Sequence, residues 1–295
     1  MDTPPAEVEI DANLVTRLVR AQHPDLDAPL RLVAHGWDNV IYRLGDDLCV
    51  RVPRRAVAVD LIRNEQRWLP GLAPRTGVAV PAPVRMGLPG PDFPWPWSIC
   101  PWFEGRPAAD VPPVDRTPAA TGLADFLARL HTPAPPDAPP NPVRGVPLAA
   151  RDAAVRERLA GTPDLLALWD RLAAAPPWDG PPYWLHGDAH PGNLVLAASG
   201  PARLAAVIDF GDLTAGDPAC DLSTAWLTFD PAGRAAFRAR YDALTGIGEA
   251  TWVRARAWAL NLATALGMQS DDNPRMAAIS AHGVAQVRPS AATPS

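Results

Sequence analysis

The sequence predicts an α+β chain of two lobes: an antiparallel five-stranded sheet with one helix, then a larger, mainly helical part. Three observations predict it. The first ~100 residues carry five short strand-like runs and one long amphipathic stretch. After Gly105 the apolar spacing turns helical. The 295 residues are enough for a sizeable core and about two lobes.

The elements follow in order. Residues 9–21 have the spacing of a short amphipathic helix. The stretch "LRLVAHGWDNVIYRLGDDLCVRVPRR" reads as a three-strand meander, turned at Gly36-Trp37-Asp38-Asn39 and again at Gly45-Asp46-Asp47. In its last strand Leu48, Val50 and Val52 face one way, and Cys49 and Arg51 the other. A helix is expected over about 56–69, with Leu61, Ile62, Glu65, Trp68 and Leu69 on one face. Glu65 is a carboxylate inside an apolar stripe. Buried, it needs a cation, for which Arg51 is the candidate; at the edge of the stripe it is solvated.

"GVAVPAPVRMG" and "WPWSICPWFEG" read as two more strands, interrupted by prolines that suit edges and turns. This puts an N-terminal lobe at 1–104 and a second lobe at 105–295. In the second, Leu123, Phe126, Leu127 and Leu130 repeat at helical spacing. Residues 133–147 are too proline-rich for helix or sheet and form an ordered or semi-extended connector. Thr162-Pro163 opens a helix with the stripe Leu165, Leu168, Trp169 and Leu172. Residues 231–290 read as helical throughout, and 287–295 as a loose tail.

Composition excludes several classes. A chain that is 47% hydrophobic and 20% charged has an ordinary soluble balance. The net charge of -5 and the lack of a basic patch interleaved with aromatics exclude nucleic acid as a partner. No run reaches ~18 apolar residues, so no membrane span is expected, and "MDTPPAEVEI" lacks the pattern of a secretory leader. Cys49, Cys100 and Cys220 are odd in number and far apart, which argues for a reduced, cytoplasmic protein. All 27 Lys-or-Arg positions are arginine, so any role that usually falls to lysine must fall to arginine here.

The chemistry gathers in "YWLHGDAHPGNLVL", where two apolar runs enclose His186, Asp188, His190 and Asn193. Soon after comes "LAAVIDFGDLTAGDPACDL", a buried strand ending at Asp209. One reading is a transition-metal site of His186, Asp188, His190 and Asp209, although Gly187, Pro191 and Gly192 argue against the helix that such a histidine spacing needs. A second is phosphoryl transfer: Asp188 faces an acceptor hydroxyl, while Asn193 and Asp209 offer the hard oxygens that suit Mg²⁺. A hydrolase with a serine or cysteine nucleophile lacks support, since no GxSxG occurs and Cys220 has no evident base. Singly, His186 and His190 are as well explained by hydrogen bonds that knit the loop.

"HGDAHPGN" followed by "IDFGDLTAGDPACDL" closely resembles the aminoglycoside phosphotransferase family, which has a bilobal protein-kinase-like fold. The two motifs stand in family order, and the resemblance extends over the N-terminal sheet. It implies a small-molecule kinase that moves the γ-phosphate of ATP or GTP to a hydroxyl of an aminoglycoside-like or macrolide-like antibiotic or a related metabolite. By the resemblance Asp188 is the catalytic aspartate, Asn193 and Asp209 bind Mg²⁺, and Glu65 orients the strand cation. His186 and His190 organise the loop, while Asp217 and Asp221 tie it to the helix below. "CPWFEG" is implied as the hinge, with backbone groups of Cys100 to Trp102 on the purine. The turn with Gly36 and Asn39 is implied to cover the phosphates.

Arg51 departs from the family pattern by standing where a lysine is usual. "RVPRR" resembles the macrolide phosphotransferase branch, in which arginine can occupy this strand. The alternative is a kinase-like nucleotide- or partner-binding module with impaired catalysis. For the acceptor, Asp230, Asp242, Glu249, Asp271 and Asp272 would suit a polycation, and Trp226, Phe229, Trp252 and Trp258 an apolar macrolide. Surface acids and core tryptophans explain both sets as well.

Overall fold

The computed structural model describes residues 5–268 and 273–288. Helix α1 (Ala12–Gln22) starts where the Asp11 carboxylate accepts the Leu14 N–H at 2.7 Å, and it buries Leu14, Val15, Leu18 and Val19. The meander follows as β1 (Leu30–His35), β2 (Asn39–Leu44) and β3 (Leu48–Pro53). Helix α2 (Val59–Thr76) leads to β4 (Arg85–Gly87) and β5 (Trp97–Pro101). The five strands form one antiparallel sheet in the order β1-β2-β3-β5-β4. One core cluster joins α1 to this sheet through residues such as Val15, Val50, Val52, Trp97 and Ile99.

Two elements differ from expectation. The helix expected over 56–69 begins as a 3-10 turn at Ala56–Ala58, then runs on as α2 through Pro70 and Pro74 to Thr76. Each proline removes an N–H from the ladder. The helix persists because Leu69 and Leu72 are buried in the core of the second lobe, and Gly77 ends it at φ 68°. The strand expected from "GVAVPAPVRMG" shrinks to Arg85–Gly87, because Pro81 and Pro83 cannot donate to a ladder.

The second lobe opens with β6 (Arg106–Pro107), α3 (Ala120–Leu130), α4 (Asp152–Arg158) and α5 (Pro163–Ala173). Strands β7 (Tyr183–Leu185), β8 (Leu194–Leu196), β9 (Leu204–Val207) and β10 (Thr214–Gly216) follow. They form a sheet β6-β8-β9 and a ribbon β10-β7, so the loop 186–193 is clamped at both ends. Short helices α6 (Ala219–Leu222) and α7 (Thr224–Thr228) underlie it. The 231–290 segment is not one helix. It divides into α8 (Pro231–Thr245), α9 (Glu249–Met268) and α10 (Pro274–Val287). Gly246, at φ 64°, terminates α8, and the Asn273 side chain accepts the Met276 N–H to start α10.

The connector 133–147 has no helix, but the lobe holds it: Pro139 O accepts from Thr214 Oγ1 at 2.8 Å, and Gly145 O from the Asp217 N–H at 3.0 Å. Of the expected tail, Val287 is in the core and Arg288 pairs with Asp164 at 2.9 Å. Residues 289–295 lie outside the described residues. Among the described residues no helix is long and apolar enough to cross a membrane.

Candidate active site

The loop between β7 and β8 is fixed from below. Asp221 on α6 is 1% exposed, and its two oxygens accept the His186 N–H at 2.7 Å and the Gly187 N–H at 2.8 Å. His131 and Tyr241 back it, with His131 Nε2 3.2 Å from Asp221 and Nδ1 2.8 Å from the Tyr241 hydroxyl. Gly187 sits at φ 84°, and a side chain there would collide with the Asp212 carbonyl. Asp217 points elsewhere, into a buried pair with Arg254 on α9 at 2.7 Å, so of the two aspartates only Asp221 grips the loop by its side chain.

Both histidines are fully engaged. His186 Nε2 meets Ile208 O at 2.9 Å, and its Nδ1 accepts the Asp188 N–H at 3.2 Å. His190 Nδ1 accepts the Gly192 N–H at 3.0 Å, which leaves its proton on Nε2, 3.3 Å from Asp188 Oδ2. No ring nitrogen is left for a metal, which overturns the transition-metal reading of this cluster.

Asp188 sits between three donors. Arg144 Nη2 reaches Oδ1 at 3.1 Å, His190 faces Oδ2, and Asn193 Nδ2 lies 3.3 Å from Oδ2 and 2.9 Å from the Asp188 carbonyl. Burial presses the Asp188 carboxyl upward, but the His190 ring and the Arg144 guanidinium outweigh it and hold it well below the usual carboxylate range. With Nδ2 so committed, Asn193 keeps Oδ1 free of any donor among the described residues. Asp209 follows on the turn after β9, with a side chain 60% exposed. Its φ of 63° is the only positive one among the described non-glycine residues, a conformation that persists where surrounding structure imposes it. Phe210 behind it is buried against His186 and Phe126, with ring centroids 4.5 and 6.5 Å away.

Arg51 and Glu65 meet as a buried pair, Nη1 to Oε2 at 2.5 Å, and Arg51 Nη2 lies 3.9 Å from Asp209. Glu65 is therefore buried and not solvated, and Arg51 occupies the cation position between helix and metal-ligand candidate. In the β1–β2 turn the Gly36 N–H is committed to Asn39 O at 2.9 Å, and Gly36 O accepts from Arg54 at 3.0 Å. That turn closes on itself, so Gly36 has no N–H to offer a phosphate. Of the backbone groups expected at the hinge, Cys100 to Trp102, those of Cys100 and Trp102 are turned toward β3. Trp102 N–H bonds to Asp47 O at 2.7 Å and Cys100 pairs with Cys49 across the sheet, so both face β3. Alternation along an extended chain turns the Pro101 C=O and the Phe103 N–H to the other side. The Phe103 N–H has no backbone partner among the described residues, and the Pro101 C=O accepts a long bond from the Cys49 thiol at 3.8 Å.

Sequence reasoning missed Arg144, Asn141 and Asp212. Asn141 Oδ1 accepts the Val143 and Arg144 N–H groups, a turn that aims Arg144, and its Nδ2 donates to Asp212 at 2.7 Å. Arg144 Nη2 also lies 3.6 Å from Asp212. The signal available was an Asn-x-x-Arg turn inside "NPVRGVP" and the second acid of "IDFGD". Among the described residues the members of both acceptor sets are otherwise engaged. Asp230 caps α8 at Gly233, Asp242 accepts from Trp252 Nε1, and Glu249 pairs with Arg238. Trp226, Phe229, Trp252 and Trp258 are core residues. Asp271 and Asp272 lie outside the described residues.

The fold is that of the kinase-like phosphotransferases. Residues 29–258 match the phosphotransferase enzyme family, and the chain belongs to that family. Its solved structural neighbours include aminoglycoside 2'-phosphotransferase-IIIa in a GDP complex, 17% identical, with a TM-score of 0.66 over 94% of this chain and 99% of that one. The macrolide 2'-phosphotransferase MphH of Brachybacterium faecium is 22% identical, with a TM-score of 0.63 over 92% and 97%. A streptomycin-ATP ternary complex of APH(2")-IIa is 19% identical, with a TM-score of 0.58 over 95% and 96%. No curated protein sequence matches the chain closely enough to count as a relative.

Proposed function

We propose that this protein is a small-molecule kinase that transfers the γ-phosphate of ATP or GTP to a hydroxyl of a small acceptor, with lobes 1–104 and 105–295 meeting at the site. The observation that carries this is one constellation: Asp188 held by Arg144, His190 and Asn193, facing a positive-φ Asp209 that Arg51 approaches from the Glu65 pair. Three free, buried cysteines fit a cytoplasmic setting. The solved neighbours act on aminoglycosides and macrolides, and both classes stand as acceptors to be tried.

The free Asn193 Oδ1 and the exposed Asp209 carboxylate are hard oxygen donors and fit Mg²⁺, which takes few protein ligands when phosphates supply the rest. Bound there, the ion would neutralise charge on the phosphate oxygens. The chain's own groups do the positioning. Arg51, aimed by Glu65, grips the α- and β-phosphates in the forked geometry of a guanidinium. The Pro101 C=O and Phe103 N–H offer the purine edge one acceptor and one donor. Asp188 accepts the hydrogen bond of the acceptor hydroxyl and aligns its oxygen with the γ-phosphorus.

The new O–P bond forms as the bond to the bridging β-γ oxygen breaks and the diphosphate leaves. The hydroxyl proton passes late to Asp188 or to solvent, since a carboxylate held so far down is a poor base until phosphorus has taken the oxygen's electrons. Arg51 keeps both its charge and its partner, so no observation favours the impaired module. The test is nucleotide consumption with ATP and with GTP against aminoglycosides, macrolides and small hydroxylated metabolites. Acceptor-dependent turnover that vanishes in Asp188→Ala is expected; turnover equal in that variant would refute the assignment.

A further inference from the structure

Asp188 has one acceptor site to spare, and its place is fixed. An ionised carboxylate offers about four lone-pair sites, two on each oxygen. Oδ2 faces two donors, His190 Nε2 and Asn193 Nδ2, each at 3.3 Å. Oδ1 faces one, Arg144 Nη2 at 3.1 Å. The Asp188 side chain is 24% exposed, so a hydroxyl arriving from solvent finds its site on Oδ1, directly beside the Arg144 guanidinium.

That guanidinium is itself held in place. Asn141 Oδ1 accepts the Arg144 N–H at 3.1 Å and fixes its backbone. Nη2 lies between Asp188 Oδ1 and Asp212 Oδ2, the second at 3.6 Å. Asp212 is pinned in turn. Its Oδ1 accepts from Asn141 Nδ2 at 2.7 Å, and its backbone packs so closely on Gly187 that a Cβ there would lie 2.3 Å from the Asp212 carbonyl oxygen. Arg144 Nε is sealed from solvent and offers a ligand nothing. Nη1 is different: no acceptor meets it among the described residues, and it is not sealed. With Nε sealed and Nη2 divided between two carboxylates, Nη1 is the open donor of a side chain that is 19% exposed.

We propose that Arg144 is a specificity-determining residue, whose Nη1 receives an oxygen of the acceptor next to the hydroxyl that Asp188 takes; this rests on the kinase reading of the site. Nη1 and Nη2 belong to one planar fork. A hydroxyl on Asp188 Oδ1 and an oxygen on the adjacent carbon therefore meet the carboxylate and the guanidinium side by side. The acceptor is then a polyol-like compound, in which the reacting hydroxyl is flanked by a hydroxyl, ether or carbonyl oxygen. An ammonium in the flanking place faces the like charge of the guanidinium. The Asp212 carboxylate beside it gives little relief, being already divided between Asn141 and Arg144.

The experiment is steady-state phosphorylation by the full chain, with Mg²⁺ and ATP or GTP, of acceptors in matched sets. Each set holds a hexose, a cyclitol or a short polyol beside its analogues with the flanking oxygen replaced by hydrogen or by an amino group; aminoglycosides and macrolides complete the panel. The ratio of kcat/KM within each set is read for wild type, Arg144→Gln and Arg144→Lys. A general loss of activity or of folded protein cancels in that ratio, and the wild-type ratios need no variant at all. Wild type should favour oxygen over hydrogen by about tenfold or more, the worth of a charge-assisted hydrogen bond, and ammonium least. Arg144→Gln should flatten the oxygen-to-ammonium ratio by about tenfold. Arg144→Lys, which keeps the charge and loses the fork, should still reject ammonium while losing part of the preference for oxygen. A wild type that prefers the ammonium member, or ratios equal in wild type and Arg144→Gln, would overturn the proposal, while the turnover itself leaves the kinase reading standing. Turnover with no acceptor of the panel refutes the kinase reading, and the proposal falls with it.

Discussion

Arg51 Nη1 lies 2.5 Å from Glu65 Oε2, with the two side chains 8% and 1% exposed. Such a pair is stable as a pair and costly to split, because removing one partner strands a charge in the interior. Arg51→Met should therefore lower the unfolding free energy by about 3–5 kcal/mol, read as a shift in urea midpoint at constant slope. Replacing both residues, Arg51→Met with Glu65→Leu, should recover most of that loss. A double variant no more stable than the single one would show that the pair's geometry, and not the stranded carboxylate, sets the cost.

Asp209 carries a different tension. Its φ of 63° is costly for a residue with a side chain, and its carboxylate is mostly in water, with the Arg51 guanidinium 3.9 Å away. Asp209→Gly should leave stability unchanged or raise it by up to about 1 kcal/mol. The same variant should lose the Mg²⁺-dependent part of its triphosphate affinity, measured by titration with and without the ion. A large drop in stability would mean that the 3.9 Å approach to Arg51 is a structural contact first.

The site was legible where chemistry and local pattern coincide. Asp188, Asn193 and Asp209 lie in two short motifs, and the Arg51–Glu65 pair followed from a carboxylate in an apolar stripe facing a strand cation. What escaped was non-local or a matter of backbone direction. Arg144 is 44 residues from Asp188 in sequence, in a proline-rich stretch with no periodicity to place it. Which backbone groups near Cys100 to Trp102 are turned away from β3 could not be read either, because that depends on register, and a single step reverses every group. The continuation of α2 past Pro70 depends on Leu69 and Leu72 finding a core in the other lobe, which helix propensity cannot anticipate.

That register makes a prediction of its own. With the Trp102 amide tied to Asp47 O at 2.7 Å, a purine in the cleft should leave the Trp102 N–H resonance nearly unmoved. The Phe103 amide, without a backbone partner among the described residues, should shift strongly downfield on nucleotide addition and gain protection from hydrogen exchange. Equal responses at the two amides would mean that the purine does not read this edge.

Asp188 should also leave a mark on stability that needs no substrate. Arg144 and His190 hold its folded pKa well below that of the unfolded chain, where an aspartate titrates near about 3.9. Above about pH 5 both states are ionised, and the stabilisation from these contacts is complete. As the pH falls through about 4, the unfolded chain takes up the proton before the folded chain does, and the stabilisation drains away until the folded pKa is passed. Asp188→Asn has no such proton to bind. The gap in urea midpoint between wild type and Asp188→Asn should therefore be widest near neutrality and narrow steadily from about pH 5 toward pH 3, while turnover stays absent in the variant throughout. A gap that widens toward acid would mean that the folded protein holds Asp188 closer to its neutral form, and that the contacts from Arg144 and His190 do not outweigh its burial.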